Sequence, residues 1–172
     1  VHTFDMSTYN LSVGGGAAST GGITVPTRTV FTQTSGTTKV YSSSGTSTIG
    51  GAGTTKFYDF QIGNTSDGAT YTFNLGGDVG ASNSFTLAAG THTLGLSSYE
   101  FGVWENWTMG AGTSLSAQIG TLNLGDTNST TLTCSTNCEP YNLTINKTSG
   151  TDSNDNVTLA SNLIVRNTLT IT

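Results

Sequence analysis

The two histidines, His2 and His92, are the first candidates for catalytic chemistry in this 172-residue chain. A catalytic histidine needs a nucleophile and an orienting acid at the same site. These two instead occupy equivalent positions in a repeated segment, which is more typical of packing or surface positions. The 10 acidic residues form no tight pair of the kind that glycosidases use, and the 5 basic residues are scattered. The sequence therefore predicts a protein that is not an enzyme and has no cofactor.

One loop is a weak candidate for calcium binding. Asp152, Asn154 and Asn156 would offer oxygen ligands at alternate positions, a spacing that suits Ca²⁺. The loop lacks the glycine and the distal bidentate glutamate of an EF-hand. A polar turn is the simpler interpretation, and we predict no metal site.

Cys134 and Cys138 are the only cysteines, with three residues between them. This spacing permits a disulfide across a tight turn if the Cα atoms come within about 5.5–6 Å. Two reduced thiols are the alternative, whereas a metal site would need ligands that the neighbouring sequence does not offer. Because the loop is short, a disulfide would mainly pin the turn.

Asn-x-Ser/Thr sequons are dense, and together with the disulfide they indicate an extracellular or cell-surface protein with attached glycans. The candidate N-glycosylation sites are Asn10, Asn64, Asn106, Asn128, Asn142, Asn146 and Asn156.

Trp104 and Trp107 belong to the densest apolar cluster of the chain, together with Tyr99 and Phe101. In a strand the two tryptophans would point to opposite faces, so that one fills the core and the other lies at the surface. A surface tryptophan could bind sugar or a neighbouring subunit. Burial of both rings is the alternative.

The composition excludes two classes of partner. Charged residues make up only 9% of the chain, against about a quarter in an average soluble domain, and the net charge is −5. With 5 Lys and Arg in total, phosphate neutralisation cannot drive nucleic-acid binding. No apolar run approaches the roughly 18 residues of a membrane span, so we expect no membrane insertion.

Short alternating segments predict an all-β fold. Residues 71–75, 85–87 and 141–145 alternate apolar with polar residues, and Gly- or Asn-rich turns separate such segments. The favoured architecture is a β-solenoid with about 20–25 residues per turn and seven or eight turns. Tandem β-sandwiches, one per repeat unit, are the alternative.

Internal repeats divide the chain into two degenerate units, residues 1–87 and 88–172, which we expect to stack as one continuous module. Residues 1–13 reappear as 91–103, at an offset of 90. Residues 57–62 reappear as 140–145, and residues 84–87 as 168–171, at offsets of 83 and 84. In register, the residues after Thr172 would resemble Val1-His2-Thr3, which suggests a building block of something longer.

The order of these motifs resembles the β-strand repeat proteins of bacterial and archaeal surfaces. The segments that carry the resemblance are Asn10-Leu11-Ser12-Val13-Gly14-Gly15, Phe57-Tyr58-Asp59-Phe60-Gln61-Ile62, Tyr141-Asn142-Leu143-Thr144-Ile145 and residues 157–171. The resemblance implies a right-handed parallel β-helix, secretion, and a role as adhesin, coat or fibre without catalytic residues. Residues 104–107 and the Cys134–Cys138 loop depart from the pattern.

Both ends of the chain read as strands, the C-terminal one has no blocking charge beyond Arg166, and such edges invite pairing with another chain. We therefore predict a structural subunit or segment of an extracellular filament or fibre, in which copies of the protein associate head to tail. An adhesin stalk or a carbohydrate-binding module at the cell surface is the alternative. The residues expected to contribute to assembly are Val1, Thr3, Phe4, Met6, Leu169 and Ile171.

Overall fold

Alternation of apolar residues with Thr, Ser or Asn produces short strands throughout the described chain. The computed structural model describes residues 1–14, 22–41, 45–63, 70–116, 119–148 and 155–172, and these residues include no helix. The strands of the first half are β1 (His2–Asp5), β2 (Leu11–Val13), β3 (Ile23–Thr24), β4 (Thr29–Thr32), β5 (Thr37–Val40), β6 (Gly45–Gly50), β7 (Thr54–Phe57), β8 (Asp59–Ile62), β9 (Thr70–Leu75), β10 (Val79–Ala81) and β11 (Ser84–Leu87). The strands of the second half are β12 (Thr91–Gly95), β13 (Glu100–Val103), β14 (Asn106–Met109), β15 (Ser114–Leu115), β16 (Thr121–Asp126), β17 (Thr130–Cys134), β18 (Asn137–Cys138), β19 (Asn142–Lys147), β20 (Val157–Leu159), β21 (Asn162–Leu163) and β22 (Thr168–Ile171).

Every third strand stacks in the same sheet, so the chain winds as a solenoid with three strands per turn. The first sheet has the order β1-β4-β7-β10-β13-β16-β19-β22, and the second has the order β2-β5-β8-β11-β14-β17-β20. The third face holds a five-stranded sheet, β15-β12-β9-β6-β3, and a separate pair, β18-β21.

All these pairings are parallel, and the register shows the length of a turn. His2 pairs with Thr29, 27 residues later, whereas Leu122 pairs with Leu143, 21 residues later. The predicted all-β solenoid is confirmed. The alternative of tandem sandwiches is wrong, because sandwich domains are built from antiparallel strands.

Columns of inward-facing side chains form a continuous core inside the three faces. Val79, Phe101, Leu122 and Leu143 stack in register in the first sheet, and none is more than 4% exposed. Trp107 fills the space between the first and second sheets, with its ring 5.4 Å from Phe101. Parallel stacking thus places apolar residues next to apolar residues in the core, and the outward positions carry mostly small or polar residues.

Glycines form the corner between the third face and the first sheet, where successive turns touch through their backbones. A methyl group on Gly77 would overlap the carbonyl oxygen of Gly51, one turn away. The absence of a side chain is therefore a packing requirement at this corner.

A disulfide closes the corner between β17 and β18. The Cα atoms of Cys134 and Cys138 lie 5.5 Å apart, and the residues are 7% and 1% exposed. Cys134 continues an inward column in the second sheet, where it pairs with Met109. The bond therefore lies within the core and fixes the turn.

The repeated sequence segments fall on strands that are eleven positions apart. Residues 1–13 and 91–103 carry β1 with β2 and β12 with β13, and the segments at offset 84 are β11 and β22. The turns agree as well, because Ser7 and Ser97 both have a positive φ, 49° and 56°. In both turns the second residue after the serine, Tyr9 or Tyr99, donates its backbone N–H across the turn at 3.0 Å.

Because a turn contains three strands, an offset of eleven strands moves each segment to a different face. Strand β1 lies in the first sheet, whereas its equivalent β12 lies in the third; β11 lies in the second sheet, whereas its equivalent β22 lies in the first. Similar segments therefore occupy different faces of one rod.

Candidate functional site

The two ends of the solenoid expose residues that are buried everywhere else in the same columns. Phe4 and Leu169 stand at opposite ends of the first-sheet column that contains Phe101 and Leu122. Phe4 is 55% exposed and Leu169 is 50% exposed, whereas the two residues inside the rod are fully buried. The end residues face inward, and no further turn covers them within the described residues.

Large exposed apolar side chains are concentrated at these ends. Among the described residues, nine such side chains are exposed, and seven of them lie in the first or last turn. Further side chains there are only partly buried. We define the N-terminal face as Phe4, Met6, Leu11, Val13 and Ile23, and the C-terminal face as Val157, Leu159, Leu163, Val165, Leu169 and Ile171.

Unpaired backbone edges accompany the apolar side chains. Among the described strands, β1 pairs only with β4 and β22 only with β19, so one edge of each has no partner within the described residues. The residues predicted to contribute to assembly all lie at these edges: Val1, Thr3, Phe4 and Met6 at one end, and Leu169 and Ile171 at the other. Arg166, the charge nearest to β22 in sequence, is paired with Glu139 of the preceding turn. That charge therefore does little to block the edge.

The two histidines differ in burial because only His2 lies in the first turn of the solenoid. His92 is buried and stacks on Tyr71 with the ring centroids 4.7 Å apart. His2, its sequence equivalent, is exposed on β1. The structure does not bring the two histidines to a common site.

A second candidate site is a surface groove on the first sheet. Its volume is about 500 Å³, and its lining includes Trp104, Tyr99, Lys56, Asp78 and Glu100. The floor is open at Gly102, because no atom lies within 4 Å of where a Cβ would stand. The Lys56 ammonium lies 5.5 Å from the centre of the Trp104 ring.

Acidic side chains give the groove polar character. Asp78 accepts a hydrogen bond from the backbone N–H of Glu100 at 2.9 Å. The Glu100 carboxylate accepts one from the Asn123 amide at 2.7 Å. Carboxylate oxygens beside aromatic rings are groups that can hydrogen-bond and pack against a sugar.

One tryptophan lies in the core and the other reaches the surface, so Trp107 is wrong as a candidate surface aromatic residue. Trp107 is fully buried, 4.4 Å from the Phe85 ring, because it continues an inward column of β14. It cannot serve as a surface aromatic residue. Trp104, in the turn before β14, is partly exposed and reaches the groove. The sequence alone did not predict Lys56, Asp78 and Glu100 as neighbours of Trp104, because the strands that carry them meet only through registers of 24 and 22 residues between turns.

The sequons differ in accessibility. Asn106 and Asn146 are exposed, as is Asn156 beside the C-terminal face. Asn10 and Asn128 are exposed, but their side chains hydrogen-bond Thr37 and Glu105. Asn142 is half-buried, and its amide donates to the Ile119 carbonyl at 3.0 Å. Asn64 lies outside the described residues.

The calcium candidate falls mostly outside the described chain, because Asp152 and Asn154 are not among the described residues. Within the described ranges no three His, Cys, Asp or Glu residues cluster as metal ligands would. Nor does the described part contain a helix that could cross a membrane.

The fold defines a parallel β-solenoid. No protein-family model, curated protein or solved structure matches the chain. The resemblance to the β-strand repeat proteins therefore remains a prediction from motifs.

Proposed function

We propose that this protein is a structural subunit of an extracellular filament, in which copies associate head to tail by strand pairing between the N-terminal and C-terminal faces. The observation that carries the proposal is the exposure of inward-facing columns at both ends of the rod. Phe4 at one end and Leu169 at the other are at least half exposed, although the side chains between them in the same column are buried.

The energetics favour reversible association. Completing the burial of a half-exposed Leu, Ile or Phe recovers about 1 kcal/mol, since full burial is worth about 1.5–3 kcal/mol. Four of the eleven side chains of the two faces are at least half exposed and the other seven are partly buried, so together they would contribute on the order of 5–10 kcal/mol. Association costs on the order of 4–15 kcal/mol in lost freedom. Backbone hydrogen bonds across the junction would add to the association free energy. Because the gain and the cost are similar in size, filament formation should depend on protein concentration.

The extracellular location rests on two features. A disulfide that lies in the core supports folding in an oxidising compartment. Exposed sequons at Asn106 and Asn146 would accept glycans without disturbing the inward columns.

Assembly can be tested with the purified chain by sedimentation velocity and electron microscopy. We expect filaments one solenoid wide above a critical concentration. Ile171→Asp places a charge on the C-terminal face, where Ile171 is 69% exposed, and should abolish filaments. Thr170→Asp adds the same charge one residue away, on the outward side of β22, and should preserve them. A chain that stays monomeric at all concentrations, or two variants that assemble equally well, would contradict the proposal.

A second function, carbohydrate binding by an adhesin stalk, is favoured by the groove at Trp104. It combines partly exposed aromatic rings with carboxylates and an open floor at Gly102. A glycan array tests it: Trp104→Ala and Gly102→Val, which fills the floor, should both lose binding. Ile119→Ala alters an exposed apolar residue that is not part of the groove lining and should retain binding. Absence of any glycan signal from the unmodified chain would argue against this function.

A further inference from the structure

We infer that successive copies dock with a rotation of one third of a turn, in a register that the chain already displays between its own two repeat units. The inference rests on the proposed head-to-tail assembly and specifies its geometry. Strand β1 of the incoming copy would pair with β20 of the preceding copy. It would not pair with β22, which is the last strand of the first sheet in the preceding copy.

The strand count gives the first argument. The 22 strands of the described residues, at three per turn, make seven turns and one additional strand, so β1 and β22 both lie in the first sheet. Strands that continue the winding from β22 must lie on the second face, then the third, then the first. An incoming copy that extends the solenoid is therefore turned by one face.

The internal junction gives the second argument, because it shows how a first-unit end meets a second-unit start. There β12 pairs with β9, β13 with β10, and β14 with β11. Eleven strands further along the chain, β9, β10 and β11 correspond to β20, β21 and β22. Eleven strands earlier, β12, β13 and β14 correspond to β1, β2 and β3. The same three contacts can therefore form between two copies.

The register follows from the sequence offsets. At the internal junction Leu94 pairs with Phe73. Their equivalents, at offsets of 90 and 84, are Phe4 and Val157, so Phe4 of the incoming copy would cover Val157. The β13–β10 pair, transferred with the same offsets, places Leu11 over Leu163 and Val13 over Val165. Strand β3 matches β14 at an offset of 84 instead of 90, and with that offset the β14–β11 pair places Ile23 over Leu169. Each transferred pair joins a residue of the N-terminal face to one of the C-terminal face.

The corner at this junction is also reproduced. Ser97 donates its hydroxyl to the Leu75 carbonyl of the preceding turn at 3.1 Å. The equivalent bond would join Ser7 of the incoming copy to the Leu159 carbonyl. Beneath the Ser97 turn the chain continues as Gly76-Gly77, and after Leu159 it continues as Ala160-Ser161, which are also small. The tight turn at Ser7, with the same positive φ as Ser97, therefore has room to approach.

Paired cysteines test the register in the full chain. At the internal junction Thr93 pairs with Thr72, and the equivalent pair across copies is Thr3 with Asn156. Neighbouring strands of a sheet lie about 4.8 Å apart, within the Cα separation that a disulfide accepts. Combining Thr3→Cys with Asn156→Cys should give a ladder of covalent multimers on mild oxidation. The native Cys134–Cys138 bond is buried and should not exchange.

The matched controls join Thr3→Cys to Thr168→Cys or Thr170→Cys, outward positions of β22 that would be neighbours only if copies docked without rotation. These controls should form filaments but no ladder. A ladder from the controls, or filaments without any ladder, would overturn the register while leaving head-to-tail assembly intact. A chain that forms no filaments in any variant would instead overturn the assembly proposal, and this inference with it.

Discussion

Leu169→Ala should weaken assembly at least as much as it weakens the folded subunit. Leu169 pairs in register with Leu143 on the preceding turn, but Leu143 is 1% exposed and Leu169 is 50% exposed. Only the buried half of the Leu169 side chain stabilises the isolated subunit, which corresponds to about 1 kcal/mol. The exposed half becomes buried only when another copy docks, so its loss costs about 1–2 kcal/mol of association free energy.

A loss of about 1–2 kcal/mol corresponds to a roughly 5- to 30-fold rise in the critical concentration for filament formation. Sedimentation of a dilution series measures that concentration. Urea unfolding in the Ile171→Asp background, which we expect to be monomeric, measures the stability of the subunit alone.

Leu143→Ala is the matched control because it removes the same side chain from the same column one turn further inside. It should cost about 2–5 kcal/mol of folding free energy, as for other fully buried leucines. If Leu169→Ala destabilised the monomer as much as Leu143→Ala and left the critical concentration unchanged, the C-terminal face would not be a docking surface.

Two further predictions concern the rod itself. Gly77→Ala should lower the unfolding free energy by about 1–3 kcal/mol because its methyl group would overlap the Gly51 carbonyl. Gly102→Ala, which has open space at its Cβ, should be neutral or stabilising by up to about 1 kcal/mol. Urea titration compares the two variants, and equal effects would argue against the backbone contact at Gly77. Replacing Cys134 and Cys138 together by Ala should cost about 2 kcal/mol, the loop-entropy value for so short a loop, without preventing folding. A thermal melt tests the second prediction, and loss of all cooperative unfolding would show that the bond does more than fix its turn.

The strands and the solenoid were predictable because they depend on local signals. Alternation at residues 71–75 and 141–145 is a two-residue period that any window reveals, and the structure has strands there. The Cys134–Cys138 spacing is equally local. Stacking parallel strands then requires only that each turn be of similar length.

Features that depend on the register between turns were not predictable in the same way. His2 and His92 are equivalent in sequence, yet only His92 has a turn on each side and a Tyr71 ring to stack on. The groove joins Lys56, Asp78 and Trp104 from three successive turns, and turn lengths of 21 to 27 residues obscure their alignment. The face on which each repeated segment lies can be assigned only by counting strands, and the offsets of 83 to 90 residues do not give that count.

The additional strand beyond seven turns determines how a filament would present its surface. A chain of 21 strands would stack copies without rotation and would align every groove along one side. With the 22 strands of the described residues, each copy in the proposed filament would advance by roughly 35 Å, at about 4.8 Å per turn, and would rotate by one face. The Trp104 groove and the Asn106 and Asn146 sequons would then appear on each of the three sides in succession. A filament built in this register would offer the same groove and glycan positions in every direction, which suits a fibre that meets surfaces from any side.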